Sequence, residues 1–598
     1  MRVGNLNEFA SASLSTEMHD RPEGCGRERL SREAWVFCAL LALTILAMWP
    51  VVPITRMASE LHYGDATINA YCNSWCADAW WRHPLHYFDA PFFYPRAHSL
   101  TSMEPQLVPA ILSAPIWVLT RNAVLSYNVL LYLSTFTALL AGYWVLRAIL
   151  PVGRAAAVLG AVFFAINSDR YWHLSGHLDL IWSGFLPVLF YCAWRMMLRP
   201  SLRILWITAL AWGLSIWTSW YWLVFGGCAL LGGALAVFCV QRFTRRAFWR
   251  GVLVMGAAAF CAAILVLPMA NLYMRGRVSS HARQRGSMRE TEALAATLEG
   301  WIFPPHIPER QATAWGLALP PRPTHDEDSQ FIGYLLLAVL LGEAVRLASA
   351  YAKRNRSVEE ELQGEITDEG GQGKAIDKLS LLCLAMALVC AALSLGPIIM
   401  GHHGPYYYLH LLVLEHTRFF RNPARFAFLF QWFSAVSAAV FLSMILPKRE
   451  RMAGVVAGVL ILIVLAEHWP VIDSARYVPP RYSALAELNC IDSARRQAFV
   501  ALPDPGNCLA GLSTAGAWRP MLNGFPHSAL FSWEYDPLMR HVAKFPGGDS
   551  LALLSRNGVQ WVVITDNDLL VKARHDQRVQ VVYQGEDSAL ARVNAIAP

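Results

Sequence analysis

Apolar runs about twenty residues long recur between residues 34 and 470, separated by short connections in which lysine and arginine collect. A helix needs roughly 20 apolar residues to cross a bilayer. On that criterion the pattern predicts eleven spans: 34–54, 123–147, 155–168, 178–198, 203–219, 220–240, 250–270, 330–350, 378–398, 425–446 and 452–470, the third of them short. The run 105–120, PQLVPAILSAPIWVLT, is apolar but interrupted by proline, and is expected to be a re-entrant or surface helix.

The charges between the runs orient the chain. With the N-terminus inside, the cytoplasmic connections are RAILPVGR, RMMLRPSLR, QRFTRRAFWR, YAKRNRSVEE…GKAIDK and PKRERM. All five are basic, as the positive-inside rule requires. The opposite connections, 57–122, NSDRYWHLSGHLD, TSWYW, 271–328 and GHHGPYYYLHLLVLEHTRFFRNPAR, are rich in aromatic, histidine, proline and acidic residues. An odd number of spans puts 471–598 on that outer side. Residues 1–33 are polar, with no apolar core or small-residue cleavage site, and read as a disordered cytoplasmic tail.

Within 471–598 the period changes from helical to alternating. RRQAFVALPDP and VQWVVITDND predict strands, VQVVYQGEDSALARVN a terminal hairpin, and GDSLALLSRNG a helix stopped by glycine. The expectation is a C-terminal α/β extracytoplasmic domain carried by a polytopic α-helical membrane protein whose membrane part is 34–470. The acidic, glycine-rich stretch NRSVEEELQGEITDEGGQGKAIDK is expected to be a mobile linker.

Composition sharpens this picture. The chain has 598 residues, 55% hydrophobic and only 16% charged, whereas soluble domains are about one quarter charged. The net charge of +7 resides mostly in the short connections, so it reports membrane orientation and not a nucleic-acid partner. Most cysteines lie in apolar runs and read as small buried hydrophobes. Cys490 and Cys508 are in the polar tail, where an oxidising compartment would allow them to pair.

Four outer segments carry candidate chemistry. In HYGDATINAYCNSW, Ile68, Tyr71, Cys72 and Trp75 recur at helical spacing behind Asp65, predicting an amphipathic helix in the membrane interface. Asp65 reads either as the cap of that helix or as a general base beside rings at a membrane surface. HPLHYFDAPFFYPRAHSLTSMEPQ supplies Asp89, Arg96, His98 and Glu104 in a polar, ring-lined wall. In NSDRYWHLSGHLD, a helix would stack Asp169, His173 and His177 at four-residue intervals, with Arg170 and Asp179 nearby. Substrate hydrogen bonding and metal ligation are both compatible with that spacing.

The fourth segment, EHTRFFRNPARF, places Arg418, Arg421 and Arg425 on the outer side, against the charge bias, and YMRGRVSSHARQRGSMRE adds Arg275, Arg277, Arg283 and Arg285. Guanidinium groups bind phosphate oxygens bidentately, so a lipid phosphate is the natural partner. An interfacial anchor to anionic lipid is the plainer reading. Trp220 and Tyr221 of TSWYW and Tyr407 of GPYYYLH offer rings for stacking on a sugar or an isoprenoid.

Taken in order, GDATINAYCNSW, HPLHYFDAPFFYP, GHLDLIW, SLGP, FRNPARF, MLNGF and GVQWVVI resemble phrases of the glycosyltransferase C (GT-C) superfamily, over roughly 60–590. That superfamily comprises polytopic, lipid-dependent, inverting sugar transferases. The resemblance implies a polyprenyl-phosphate-linked sugar donor, and a glycan, lipid or protein acceptor at the periplasmic face of a bacterial inner membrane. It implies Asp65 as base on the acceptor hydroxyl, and Arg418, Arg421 and Arg425 around the lipid phosphate. Many members carry two adjacent acids in the first outer loop and a supporting divalent metal ion. Here Gly64 precedes Asp65, and the next acids are Asp78 and Asp89. Two other readings stand beside this one. A transporter or flippase of lipid-linked glycans would place ionisable residues deep in its spans, where Glu343 is the main exception to an otherwise apolar pattern. A non-catalytic assembly protein would retain the fold without the chemistry.

Overall fold

Within its described residues, each of the eleven apolar runs contains a helix. The computed structural model describes residues 24–49, 63–174, 176–241, 243–278, 288–304, 329–361, 371–414, 420–468, 482–491, 497–503, 515–524 and 532–594. Its membrane part contains α1 (Gly24–Ala47), α2 (Tyr63–Arg82), α3 (Leu107–Thr120), α4 (Ala123–Ile149), α5 (Arg154–Ala165), α6 (Ser168–Leu174), α7 (Phe185–Leu198), α8 (Leu202–Thr218), α9 (Tyr221–Val240) and α10 (Arg245–Val278). It continues with α11 (Tyr334–Glu361), α12 (Gly371–Ser394), α13 (Ala427–Ile445) and α14 (Glu450–His468). Among the described residues, 7 helices are long and apolar enough to cross a membrane, and α1, α3, α5, α7 and α8 contribute shorter apolar segments. The chain is a multi-pass membrane protein.

Helix α13 forms the centre of the bundle. It is apolar on all sides, the signature of a helix enclosed by others, and 78% of its apolar window is buried. Its alanines and serines let α5, α11 and α12 pack close against it. Helices α7 and α9 approach closer still. A Cβ added at Gly233 would lie 2.2 Å from the Phe190 carbonyl oxygen, so only glycine fits there.

The third span is broken, and the break has a local cause. Asn167 accepts the Arg170 backbone N–H at 2.9 Å and donates its amide to the Phe164 carbonyl at 2.8 Å. One side chain thus closes α5 and caps α6. At about 1.5 Å per residue, the twelve residues of α5 reach only about 18 Å. The following chain is therefore spent on a folded turn within the protein.

The two ends of the bundle differ in chemistry. At one end Arg154, at the start of α5, pairs with Glu33 of α1 and Glu450 of α14. At the other, Ser168, just past α5, is 2.9 Å from His468 at the far end of α14. The basic connections therefore gather at one end and the outer segments singled out above at the other. Glu343 lies within the apolar part of α11 and is fully buried. Arg346 grips it through two bonds of 2.6 and 2.7 Å and reaches Asp377 of α12 at 2.7 Å, while Ser380 donates to Glu343 at 2.5 Å. This acid clamps α11 to α12. Breaking such a buried pair from one side costs about 3–5 kcal/mol.

Three expectations change. Residues 24–33, expected to belong to a disordered tail, form the first turns of α1, which begins at Gly24. The acidic stretch expected to be a mobile linker is helical at both ends, because α11 runs on to Glu361 and α12 starts at Gly371. Glutamate and alanine favour helix, and extending a formed helix needs no new nucleus. Residues 362–370 lie outside the described residues. Helix α2 does not float in an interface: Ile68, Tyr71 and Cys72 are buried, but so are Thr67, Asn69, Asn73, Ser74 and Asp78 on its other faces. It packs against α3 and α4, so its polar side is enclosed by protein where an interfacial helix would meet water.

The tail forms a four-stranded sheet. After α15 (Ser483–Ile491) come β1 (Ala498–Leu502), α16 (Ser532–Val542), α17 (Gly548–Arg556), β2 (Val559–Ile564), α18 (Asn567–His575), β3 (Val579–Gln584) and β4 (Ala589–Val593). The order is β1-β2-β4-β3. Strands β1 and β2 are parallel, with Val500 opposite Val562, and the terminal hairpin β3–β4 is antiparallel.

The β1 edge is covered. Residues 520–522 bond to Phe499 on β1, and the same segment bonds on its other side to the first outer loop: Met521 N to Pro91 O at 2.8 Å, Phe93 N to Asn523 O at 3.1 Å, and Tyr94 N to Met521 O at 3.0 Å. The phrases FDAPFFYP and MLNGF therefore meet as neighbouring strand-like segments. A Cβ at Gly524 would fall 1.8 Å from the Phe93 ring, which explains the glycine of MLNGF. Membrane bundle and sheet are thereby joined through the loop that follows α2.

Candidate active site

Five chain segments converge at the site end of the bundle. Asp65 comes from the first turn of α2 and Glu104 from the end of the loop that docks on the sheet. His177 and Asp179 come from the turn after α6, Ser219–Tyr221 from the break between α8 and α9, and Arg425 from the 3-10 turn that opens α13.

Asp65 is part-exposed, with 41% of its side chain accessible, and its Oδ2 is 3.7 Å from His177 Nε2. A buried amide network sets that approach. Asn69, one turn along α2, donates to the Asp65 carbonyl at 3.0 Å and to the Gly176 carbonyl at 2.6 Å, and accepts from Gln106. It thus ties the start of α2 to the residue before His177. His177 also meets the His173 ring edge-on at 4.9 Å. His173 in turn stacks on Phe428 of α13 at 5.1 Å and faces Asp169 at 3.7 Å.

Asp179 is buried, and its backbone is pinned by the Trp222 indole N–H at 3.0 Å. Glu104 accepts the Trp220 backbone N–H at 2.9 Å. Ser219 and Arg425 both act on the two acids, each favouring their charged forms. The Arg425 guanidinium is buried and stacks 4.4 Å from the centre of the Tyr221 ring. Asp65 and one arginine of FRNPARF thus belong to a single cluster, linked by His177 and Asp179, which interact electrostatically.

Loss of water and the facing Asp179 carboxylate push Glu104 up to about 7, against the Trp220 N–H, the Ser219 hydroxyl and Arg425. Burial likewise raises Asp179, against His177, Arg425 and Ser219. The Asp179 carboxylate thus raises the cost of charging Glu104. The sign follows. Below about pH 7 Glu104 is protonated; above it, Glu104 adds a negative charge beside Arg425. An anion approaching Arg425 is therefore bound less well as pH rises through about 7. The affinity of an anionic ligand for Arg425 should fall across that range, and Glu104→Gln, which keeps an acceptor for Trp220 N–H, should flatten the profile. A slope unchanged by the substitution would assign the titration elsewhere. Folding shows the same direction, because the folded chain retains a proton that the unfolded chain loses between the ordinary glutamate range and pH 7.

Other residues singled out in the sequence are placed differently. Arg170 is buried and donates to Ser134 and to the Ile181 carbonyl, both at 3.1 Å, holding the turn that carries Asp179. Asp89 is engaged by His86 at 3.0 Å and by the His98 backbone N–H at 3.0 Å, which folds the first outer loop on itself. Trp220 packs edge-on against Tyr273 of α10 at 5.2 Å, beside Glu104. Tyr407 stacks on His403 at 3.9 Å; its neighbour Tyr406 is the buried ring, facing Phe426 next to Arg425. Arg421 is half-buried and Arg275 exposed. Arg418, Arg283, Arg285, the Arg277 side chain and Cys508 lie outside the described residues, so the Cys490–Cys508 pairing is not described. Helix α6 ends at Leu174, so His177 meets His173 across a turn and not along one helical face.

Among the described residues, no three histidine, cysteine, aspartate or glutamate side chains are grouped as ligands for a metal ion. The carboxylate pair faces a guanidinium instead. This arrangement does not fit the supporting divalent ion that the superfamily resemblance implies.

No protein-family model matches the chain, and no curated relative does. Solved structures do. The mycobacterial arabinofuranosyltransferase AftD superposes with a TM-score of 0.53 at 13% identity, over 94% of this chain and 40% of its own. The fold is the GT-C fold. This chain thus spans about two fifths of AftD. Two weaker matches are the Archaeoglobus fulgidus oligosaccharyltransferase (TM-score 0.45, 13% identity, 88% of this chain and 69% of that one) and ArnT from Cupriavidus metallidurans bound to undecaprenyl phosphate (0.39, 12%, 94% and 98%). Asp65 and Arg425 were both singled out in the sequence. Ser219 was not singled out, and the coupling of Glu104 to Asp179 was not visible. Their only trace was a pair of lone acids in aromatic surroundings.

Proposed function

We propose that the protein transfers a sugar from a polyprenyl-phosphate donor to an acceptor hydroxyl, with inversion, at the outer face of a bacterial inner membrane. One observation carries the reading: a part-exposed carboxylate, Asp65, shares a cluster with a buried guanidinium, Arg425, at the bundle end opposite the basic connections. The GT-C fold supports it.

In this reading Asp65 takes the proton of the acceptor hydroxyl as its oxygen attacks the anomeric carbon. The bond from that carbon to the phosphate oxygen breaks, its electron pair stays on the phosphate, and polyprenyl phosphate leaves. Arg425, held flat by Tyr221, stabilises the charge that develops on the leaving oxygen, and Arg421 and Arg418 of the same segment are the further candidates for the phosphate. Glu104 and Asp179 keep Arg425 oriented, and Glu104, protonated below about pH 7, adds no charge there in that range. Trp220 and Tyr273 provide the ring surface beside them. Asn69 positions Asp65 relative to His177.

The test is transfer in proteoliposomes containing the full chain, with a polyprenyl-phosphate sugar and an acceptor glycan, and NMR of the product's anomeric centre. Inverted configuration is expected. A retained configuration would remove direct displacement, and movement of the lipid-linked sugar between leaflets without transfer would make the protein a flippase.

A further inference from the structure

A second concave surface lies away from the Asp65–Arg425 cluster, where the first outer loop meets the sheet. It encloses about 360 Å³, within the range of small-molecule sites (about 300–1,000 Å³). Trp75, Tyr94 and Trp518 supply rings, and Arg82, His83 and Arg96 supply donors. Its two acids are already engaged. Asp78 accepts from Trp117 at 2.9 Å, Arg121 at 2.5 Å and Trp518 at 3.0 Å, and Asp89 from His86 and His98. Arg82 also pairs with Asp78 at 3.5 Å but keeps 48% of its side chain accessible, so ring faces and cationic donors face outward.

Helix α2 sets the spacing. Asp65 and Asp78 are thirteen residues apart on it, about 20 Å at 1.5 Å per residue. An occupant of this groove cannot react at Asp65, although a long molecule could touch both places. Aromatic faces bind the apolar faces of pyranose rings, and guanidinium groups bind carboxylates. We infer that this groove binds an acidic saccharide unit of the acceptor, remote from the hydroxyl that reacts. The sugar-transfer reading enters only in naming the occupant an acceptor.

The test is binding without turnover. The full chain in detergent is titrated with hexagalacturonate, and with maltohexaose as neutral comparison, by calorimetry and saturation-transfer NMR. Hexagalacturonate should bind, more weakly as salt increases, and maltohexaose at least about tenfold more weakly. Arg96→Ala and Tyr94→Ala should each weaken hexagalacturonate about tenfold in protein that still folds by circular dichroism, and Arg96→Lys should recover part of the loss. Absence of binding, equal binding of the two probes, or indifference to both Arg96→Ala and Tyr94→Ala would overturn the inference. Asp65→Asn should bind as wild type does. Binding without sugar transfer would therefore sink the catalytic reading alone, and transfer without binding the groove alone.

Discussion

Asp65→Asn should lower the transfer rate by about 10²–10⁴-fold, the usual contribution of a positioned general base, while donor binding stays within about threefold. The amide has the shape of the carboxylate but cannot take a proton. Because Asp65 is part-exposed and makes its one described side-chain contact with His177, the substitution leaves no buried group stranded. Stability should change by no more than about 0.5 kcal/mol. Initial rates in proteoliposomes, with donor affinity measured separately, read the two effects apart. A variant that transfers at more than a tenth of the wild-type rate would show that the acceptor proton leaves by another route.

Arg425→Met should be as damaging by a different path. The guanidinium is buried, stacked on Tyr221, and faces both Glu104 and Asp179. Its loss removes the stabilisation of the leaving phosphate, which for one preorganised donor is worth about 10²–10³-fold in kcat. It also leaves the acid pair without its cation, so donor affinity should fall as well. Arg425→Lys should recover little, since an ammonium neither stacks flat on Tyr221 nor offers a bidentate edge. Tyr221→Phe keeps the ring and should remain close to wild type. If Arg425→Met bound the lipid donor within threefold of wild type, the phosphate would have to be held by other groups.

Together the two variants separate proton removal from departure of the phosphate. The His177 link between Asp65 and Asp179 suggests how the halves communicate. Ionisation of Asp179 changes the field at His177, and His177 lies 3.7 Å from Asp65, the base of the proposed reaction.

The apolar runs, the bias of the basic connections and the alternating strands of the tail were all readable in the chain because each is local. A spanning helix satisfies its own backbone hydrogen bonds within one segment, and a strand shows its period within six residues. Asp65 and the FRNPARF arginines stood out for a similar reason, as charges where neighbouring composition disfavours them. Pairings between distant segments were not readable in this way. Only the folded chain turned the polar face of α2 inward, and only the fold set Tyr406 and not Tyr407 toward the Arg425 turn. Contacts across more than a hundred residues coupled Glu104 to the α8–α9 break and joined MLNGF to FDAPFFYP. No local pattern encodes such contacts, because their energy exists only once two remote surfaces exclude water together.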